Sequence, residues 1–225
     1  GIVNGATWQL NPNGNAISFD GIDDYFEIDG LGNTAITNEM DFTLEFWYNS
    51  STPGVATLFS NGSGTGLAAD SLRSWNIEKD ALGQIHVKHY GMDFIAVSNN
   101  TFDGNWHHFA LVLHRGSVLT AYLDGNSTGT MLAENFKEFG ADSIAIGSRY
   151  FRTGAIVNYD EYFTGSIDEV RIWNIAISDS DILDNYNTEL TGNEIGLVAY
   201  YNFNQVEFKN VCLKYLIDLG SLFEL

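Results

Sequence analysis

Ile17-Ser18-Phe19-Asp20-Gly21-Ile22-Asp23-Asp24-Tyr25-Phe26-Glu27-Ile28 reads as two short strands of alternating apolar and polar residues, joined by a turn that carries three carboxylates and a glycine. Three carboxylates brought together repel one another, which a solvated surface turn tolerates and a cation among them relieves. A solvated acidic turn and a cation-holding turn both fit this spacing. An EF-hand loop does not, because the segment lacks that loop's glycine placement and its bidentate Glu at position twelve.

Working outward, strand-like segments bounded by Gly, Asn, Asp or Ser recur along the chain: 42–48, 57–60, 75–79, 84–90, 94–98, 106–114, 118–123, 143–146, 163–173 and 196–203. Leu82-Gly83 and Asp124-Gly125 punctuate two hairpins, the Asp-Gly pair supplying the positive φ that a tight turn needs. One segment reads as a helix: Ser178 caps it with Asp181 three residues on, and Ile182, Leu183 and Tyr186 share a face. The pattern predicts an all-β fold, two antiparallel sheets packed face to face with one short surface helix.

Alternation assigns the faces. In Phe42-Thr43-Leu44-Glu45-Phe46-Trp47-Tyr48 the even positions form an apolar face and the odd ones point away. In Ile167-Asp168-Glu169-Val170-Arg171-Ile172-Trp173 it groups Asp168 with Val170 and Ile172, and Glu169 and Arg171 with Trp173. If these strands are neighbours, Glu45 and Arg171 can form a structural pair across them.

The 225 residues suit one large all-β domain, and 44% hydrophobic with 14% aromatic residues are enough for a sizeable core. Ten Lys+Arg against 29 Asp+Glu leave a net charge of −19, which argues against nucleic acid or an anionic membrane as partner. A neutral ligand or a divalent cation suits that charge better. No apolar run is long enough to span a bilayer, and the first residues lack a signal-peptide pattern. A single cysteine, Cys212, can make no internal disulfide.

Five segments in order resemble the LamG-like jelly-roll family of concanavalin A-like domains: Asn15–Tyr25, Phe42–Trp47, Trp106–Ala110, Ala121–Gly125 and Phe163–Trp173, the last followed by Ile175-Ala176-Ile177-Ser178 into the helix. The resemblance covers about residues 1–190, and 196–204 less closely, so the domain is expected over 1–204. The apolar segment 205–225 departs from the family, as an added element packed on the sandwich or a tail foreign to it. The resemblance implies a jelly-roll β-sandwich, a secreted or cell-surface module of a larger protein that binds carbohydrate or mediates adhesion, and a calcium ion (Ca2+). In related sandwiches the ion lies near the start of the domain and takes an aspartate from a late strand. Carried onto this chain, that implies Asp20 with Asp23 and Asp24, carbonyls of the Gly21–Ile22 turn, and Asp168. Calcium's preference for six to eight oxygen ligands is compatible with such a set.

Hydrolases on such a fold carry two carboxylates on one strand with alternate spacing, and no Glu-x-Asp-x-x-Glu pattern occurs; Asp168 and Glu169 are adjacent and therefore on opposite faces. His86 and His89 also lie on opposite faces, and no Ser or Cys elbow accompanies the histidines. The expectation is a non-catalytic module. Aromatics with polar neighbours are the candidates for a ligand surface: Trp75, His89, Tyr90, Arg149, Tyr150, Arg152, Tyr159 and Tyr162. Arginines beside aromatics suit sugar hydroxyls, uronates or sulfates, so an acidic glycan is one expected partner and a protein another.

Overall fold

The computed structural model describes residues 1–11, 14–29, 40–62, 75–89, 92–133, 143–153 and 156–204; Tyr90 and segment 205–225 lie outside the described residues, as does the Arg152 side chain. In chain order the strands are β1 (Ile2–Asn4), β2 (Thr7–Asn11), β3 (Gly14–Asp20), β4 (Tyr25–Asp29), β5 (Phe42–Asn49), β6 (Ala56–Asn61), β7 (Trp75–Lys79), β8 (Ile85–His89) and β9 (Met92–Val97). There follow β10 (Trp106–Leu113), β11 (Val118–Leu123), β12 (Asn126–Leu132), β13 (Ser143–Ile146), β14 (Arg149–Thr153), β15 (Ile156–Asp160) and β16 (Thr164–Trp173), then helix α1 (Asp179–Asn187) and β17 (Leu197–Tyr201).

One sheet has seven strands in the order β1, β4, β13, β6, β7, β8, β9, and the other runs β12, β11, β10, β5, β16, β3, β2. β17 pairs with the half of β16 that β3 leaves free. All pairings are antiparallel, and the hairpin β14–β15 forms a sheet of its own that packs on β6 and β13. This is the two-sheet antiparallel sandwich that the strand pattern predicts, in the jelly-roll form that the LamG-like resemblance implies.

The core lies between the sheets. Phe42, Leu44, Phe46 and Tyr48 all point into it from β5, each at most 1% exposed. Burying one such side chain contributes roughly 1.5–3 kcal/mol. The outward residues of β5 hold the segment after β16. Thr43 donates to the Ile175 carbonyl (2.9 Å) and accepts from the Ile177 amide (3.1 Å), Glu45 accepts from Asn185 (2.9 Å), and Trp47 stacks on Tyr186 at 5.2 Å. Helix α1 forms with the expected capping box, Ser178 and Asp181 each satisfying the other's backbone. Ile182 and Asn185 are its buried residues and Tyr186 is half-buried, whereas Leu183 is exposed. Ile182 completes a small cluster with Trp173, Ala110, Val112, Tyr122 and Ile177 on the outer side of the sheet.

Two expectations change at β16. Asp168 pairs with Trp47 and Arg171 with Glu45, so Glu169 and Val170 together oppose Phe46. Glu169 adopts φ 51° and makes a β-bulge. The extra residue turns Asp168 to the outer face with Arg171 and Trp173, away from Val170 and Ile172, which enter the core. Glu45 and Arg171 are register partners, yet they bond elsewhere. Glu45 Oε1 accepts from Trp173 Nε1 (2.8 Å) and Asn185 Nδ2 (2.9 Å), and Arg171 pairs with Glu169 (2.6 Å).

Candidate functional site

The acidic turn between β3 and β4 folds on itself. Asp20 Oδ1 accepts from the Ile22 amide and Asp24 Oδ2 from the Asp20 amide, both at 2.8 Å. Gly21 has φ 81°, and a Cβ there would lie 1.9 Å from Thr164 Oγ1, so only glycine lets the turn approach β16 this closely. Asp20, Asp23 and Asp24 each offer an oxygen within 4.8 Å of the others. That span is what two ligands at about 2.4 Å on opposite sides of a calcium ion require, and an all-oxygen donor set is what calcium prefers. Asp24 is buried, and burial, with the negative charges of Asp20 and Asp23 adding to it, raises its carboxyl above the ordinary aspartate range against the lowering bond from the Asp20 amide. Asp168 stands apart from these three. Asp20 pairs with Thr164, so Asp168 lies four residues further along β16, about 13 Å at strand rise. Its Oδ1 accepts from the Glu169 amide (2.8 Å).

A second group assembles on the outer face of the seven-stranded sheet, where the hairpin β14–β15 crosses it. Tyr159 stacks on Tyr25 with ring centroids 3.8 Å apart, and Tyr162 donates to the Tyr159 carbonyl (3.2 Å). All three tyrosines are half-buried. Burial, then Glu27 and Tyr25, push the Tyr159 phenol far up. On the other side of the hairpin Ser60, Asn76 and Glu78 form a chain of hydrogen bonds (2.9 and 3.1 Å), and Lys88 closes on Glu78 at 2.6 Å. Ser60 also accepts from the Tyr150 amide (3.1 Å), tying the hairpin to β6.

Several of the expected ligand residues serve the fold. Trp75 is fully buried, stacked between Phe42 and Phe59, because it shares the inward side of β7 with Ile77. His89 is buried on the Ile85 and Val87 side of β8. Tyr150 is buried beneath the hairpin, edge-on to Tyr159 at 5.5 Å. Arg149 meets its register partner Asp160 through a bidentate pair (2.7 and 2.7 Å) and Glu161 at 3.1 Å. Its guanidinium orders the hairpin and is already matched by two carboxylates. Among the described side chains of the original set Tyr159 and Tyr162 therefore remain, joined by the half-buried Tyr25, Glu27, Asn76 and Lys88. The outward parity of β7 was the signal for Asn76; nothing in the sequence pattern brings Tyr25 to Tyr159, since the stack forms only where a separate hairpin crosses the sheet.

Glu78 and Glu161 lie close enough for their charges to interact. Burial raises Glu161, Glu78 adds to this, and Arg149 opposes it. Every oxygen of the two already has a partner: Asn76 and Lys88 on Glu78, Arg149 and Thr57 on Glu161.

Among the described residues no helix is long and apolar enough to cross a membrane. Among curated protein sequences none matches the chain. Among solved structures, the binding domain of Paraclostridial Mosquitocidal Protein 1 superposes with a TM-score of 0.64 at 12% identity, over 83% of this chain and 46% of that one. The chain thus spans less than half of that domain's length. A heptameric SAP-like pentraxin from Limulus polyphemus gives 0.57 at 14% identity, over 78% and 82% of the two chains. Domain 4 of an extracellular arabinanase from Geobacillus stearothermophilus, solved in complex with arabinotriose, gives 0.56 at 17%, over 80% and 81%. These likenesses are of fold. The sequence itself matches one family over residues 20–183, more than half its length and in keeping with the LamG-like segments, and the chain belongs to the concanavalin A-like lectin/glucanase superfamily.

Proposed function

We propose that the chain is a non-catalytic glycan-binding module of an extracellular or cell-surface protein, with its ligand surface where β14–β15 crosses the seven-stranded sheet. The observation that carries this reading is the half-exposed Tyr25–Tyr159 stack with Tyr162, set beside the half-buried Asn76 and Lys88, which bond to the buried Ser60 and Glu78. Aromatic rings give sugar C–H faces a platform, and neighbouring phenol, amide and ammonium groups fix the sugar's orientation. The arabinanase domain with its bound arabinotriose supports the assignment of such a role to this fold. Because Arg149 is matched by Asp160 and Glu161, the surface favours neutral sugars over uronates or sulfates. The satisfied oxygens of Glu78 and Glu161 support binding without hydrolysis. A calcium ion held by Asp20, Asp23 and Asp24 would stiffen the turn that leads into Tyr25.

Binding across neutral, uronic and sulfated oligosaccharides tests this. Neutral glycans should bind, and Tyr159→Ala, which removes an aromatic platform, should lower affinity about tenfold. A blank panel, or equal affinity for the variant, would overturn the reading. A protein-binding role is the second reading, favoured by the exposed Phe151, Ile156 and Val157 on the same hairpin.

A further inference from the structure

On the opposite sheet, beneath the C-terminal end of α1, the outer surface opens into a cavity of about 430 Å3. That is within the size range of small-ligand sites. Its aromatic side is the stack of Trp47 and Tyr186, both half-buried, with planes 19° apart. Arg171 forms its base, and the Arg171 donors are turned inward: Nη1 to the Asn185 carbonyl (2.8 Å), Nη2 to the Thr188 carbonyl (3.0 Å) and to Glu169 (2.6 Å). Arg171 Nε is buried beyond the reach of solvent. The bulge that places Glu169 in left-handed backbone keeps its carboxylate on Arg171 and on the Tyr200 hydroxyl (2.7 Å).

Acceptors are most of what the cavity has left to offer. Thr188 Oγ1 donates to the Asp184 carbonyl (2.8 Å) and Asn187 Nδ2 directs one of its two N–H groups to the Leu183 carbonyl (2.7 Å), so the hydroxyl proton and one amide proton go to the helix. Glu189 is exposed, and among the described residues its hydrogen bond comes from Asn204 to Oε1 (3.1 Å), leaving Oε2. Two carboxylates against one guanidinium leave the lining with net negative charge, in a chain of −19. The last turn of α1 contains no basic residue of its own, and the cation at its end is Arg171 of β16, on the Asn185 and Thr188 carbonyls. Acceptors, aromatic rings and negative potential together select a cation on an apolar stem.

We propose that this cavity binds a primary ammonium group on an alkyl stem, as a lysine side chain presents it, with the ammonium at Glu189 and the stem along Trp47 and Tyr186. The site is independent of the glycan surface, which lies on the other sheet.

Titration of the isotope-labelled chain with Nα-acetyl-lysine N-methylamide, followed by NMR, tests it. The probe should shift the Trp47 indole N–H and the amides of Tyr186 to Glu189, and binding should weaken as salt is raised. The Nζ-acetylated probe, neutral and of similar shape, should bind about tenfold more weakly, since cation–π attraction and the carboxylate contact are both lost. Glu189→Gln should lower affinity for the charged probe by about fivefold or more with an unchanged melting temperature, as expected for an exposed charge. Tyr159→Ala should leave this binding intact. Equal binding of the two probes, shifts confined to other surfaces, or an indifferent Glu189→Gln would each overturn the proposal; so would a neutral monosaccharide binding here in place of the amine.

Discussion

Glu45 shows what a single residue can and cannot disclose in a sequence. Its outward parity in β5 follows from alternation, and the structure sets it opposite Arg171 in register. Its partners do not, because α1 delivers Asn185 from 140 residues away and the bulge hands Arg171 to Glu169. The buried carboxylate is an acceptor for two donors, with His108 Nε2 3.4 Å from its other oxygen. Glu45→Ala strands the Trp173 indole and the Asn185 amide, and should cost about 2–4 kcal/mol, since each buried donor left without a partner costs about 1–3 kcal/mol. Glu45→Gln keeps an acceptor for both and should cost about 1 kcal/mol or less. Urea unfolding of the two variants separates them; a similar loss for both would mean that the charge, and not the acceptor, matters.

Among the elements, those with one face in the core and one outside were legible. β5 and β7 show their core face in sequence, β8 alternates cleanly in burial as well, and Asp124 and Gly125 take the positive φ values their hairpin requires (49° and 76°). Reading β7 for parity would have removed Trp75 from the ligand candidates. β16 was misread after Asp168 because a bulge adds one residue and reverses every later face, with no local sequence signal in Asp168-Glu169. The hairpin β14–β15 is absent from the predicted strands because it lies outside both large sheets and β15 has no alternating burial to reveal it. Helix α1 was legible from its cap. Ser178→Ala removes the acceptor for the Asp181 amide (3.2 Å) and should cost about 1 kcal/mol. Because α1 covers Trp173 and Ile177, that loss should appear in the global melt, lowered by about 2–4 °C, rather than as local fraying. Calorimetry with an unchanged midpoint would show that the helix end is dispensable.

For the whole molecule the excess of carboxylates sets the behaviour. With −19 net charge the folded chain repels itself, and the Asp20–Asp24 turn is where that repulsion is most concentrated among the described residues. A calcium ion there would act on stability by mass action, adding about 2.7 kcal/mol at 100 times its dissociation constant. For a chain of this size that is about 5–11 °C in the melting midpoint. The pH dependence has opposite signs with and without the ion. Asp24 has a raised carboxyl pKa in the fold, so in the ion-free chain its contribution to stability is present at acid pH and lost as pH rises through that value. Calcium requires the ionised carboxylate, so its increment is full above the raised pKa and disappears as pH falls through it. Asp23→Asn, exposed and within the cluster, should remove most of the increment, whereas Asp168→Asn, about 13 Å along β16, should leave it in place. Melting with chelator, with calcium, and with sodium chloride at matched ionic strength distinguishes a bound ion from general screening. An equal rise with the salt alone, or a calcium increment that survives Asp23→Asn, would remove the ion from this turn and leave it an acidic surface loop.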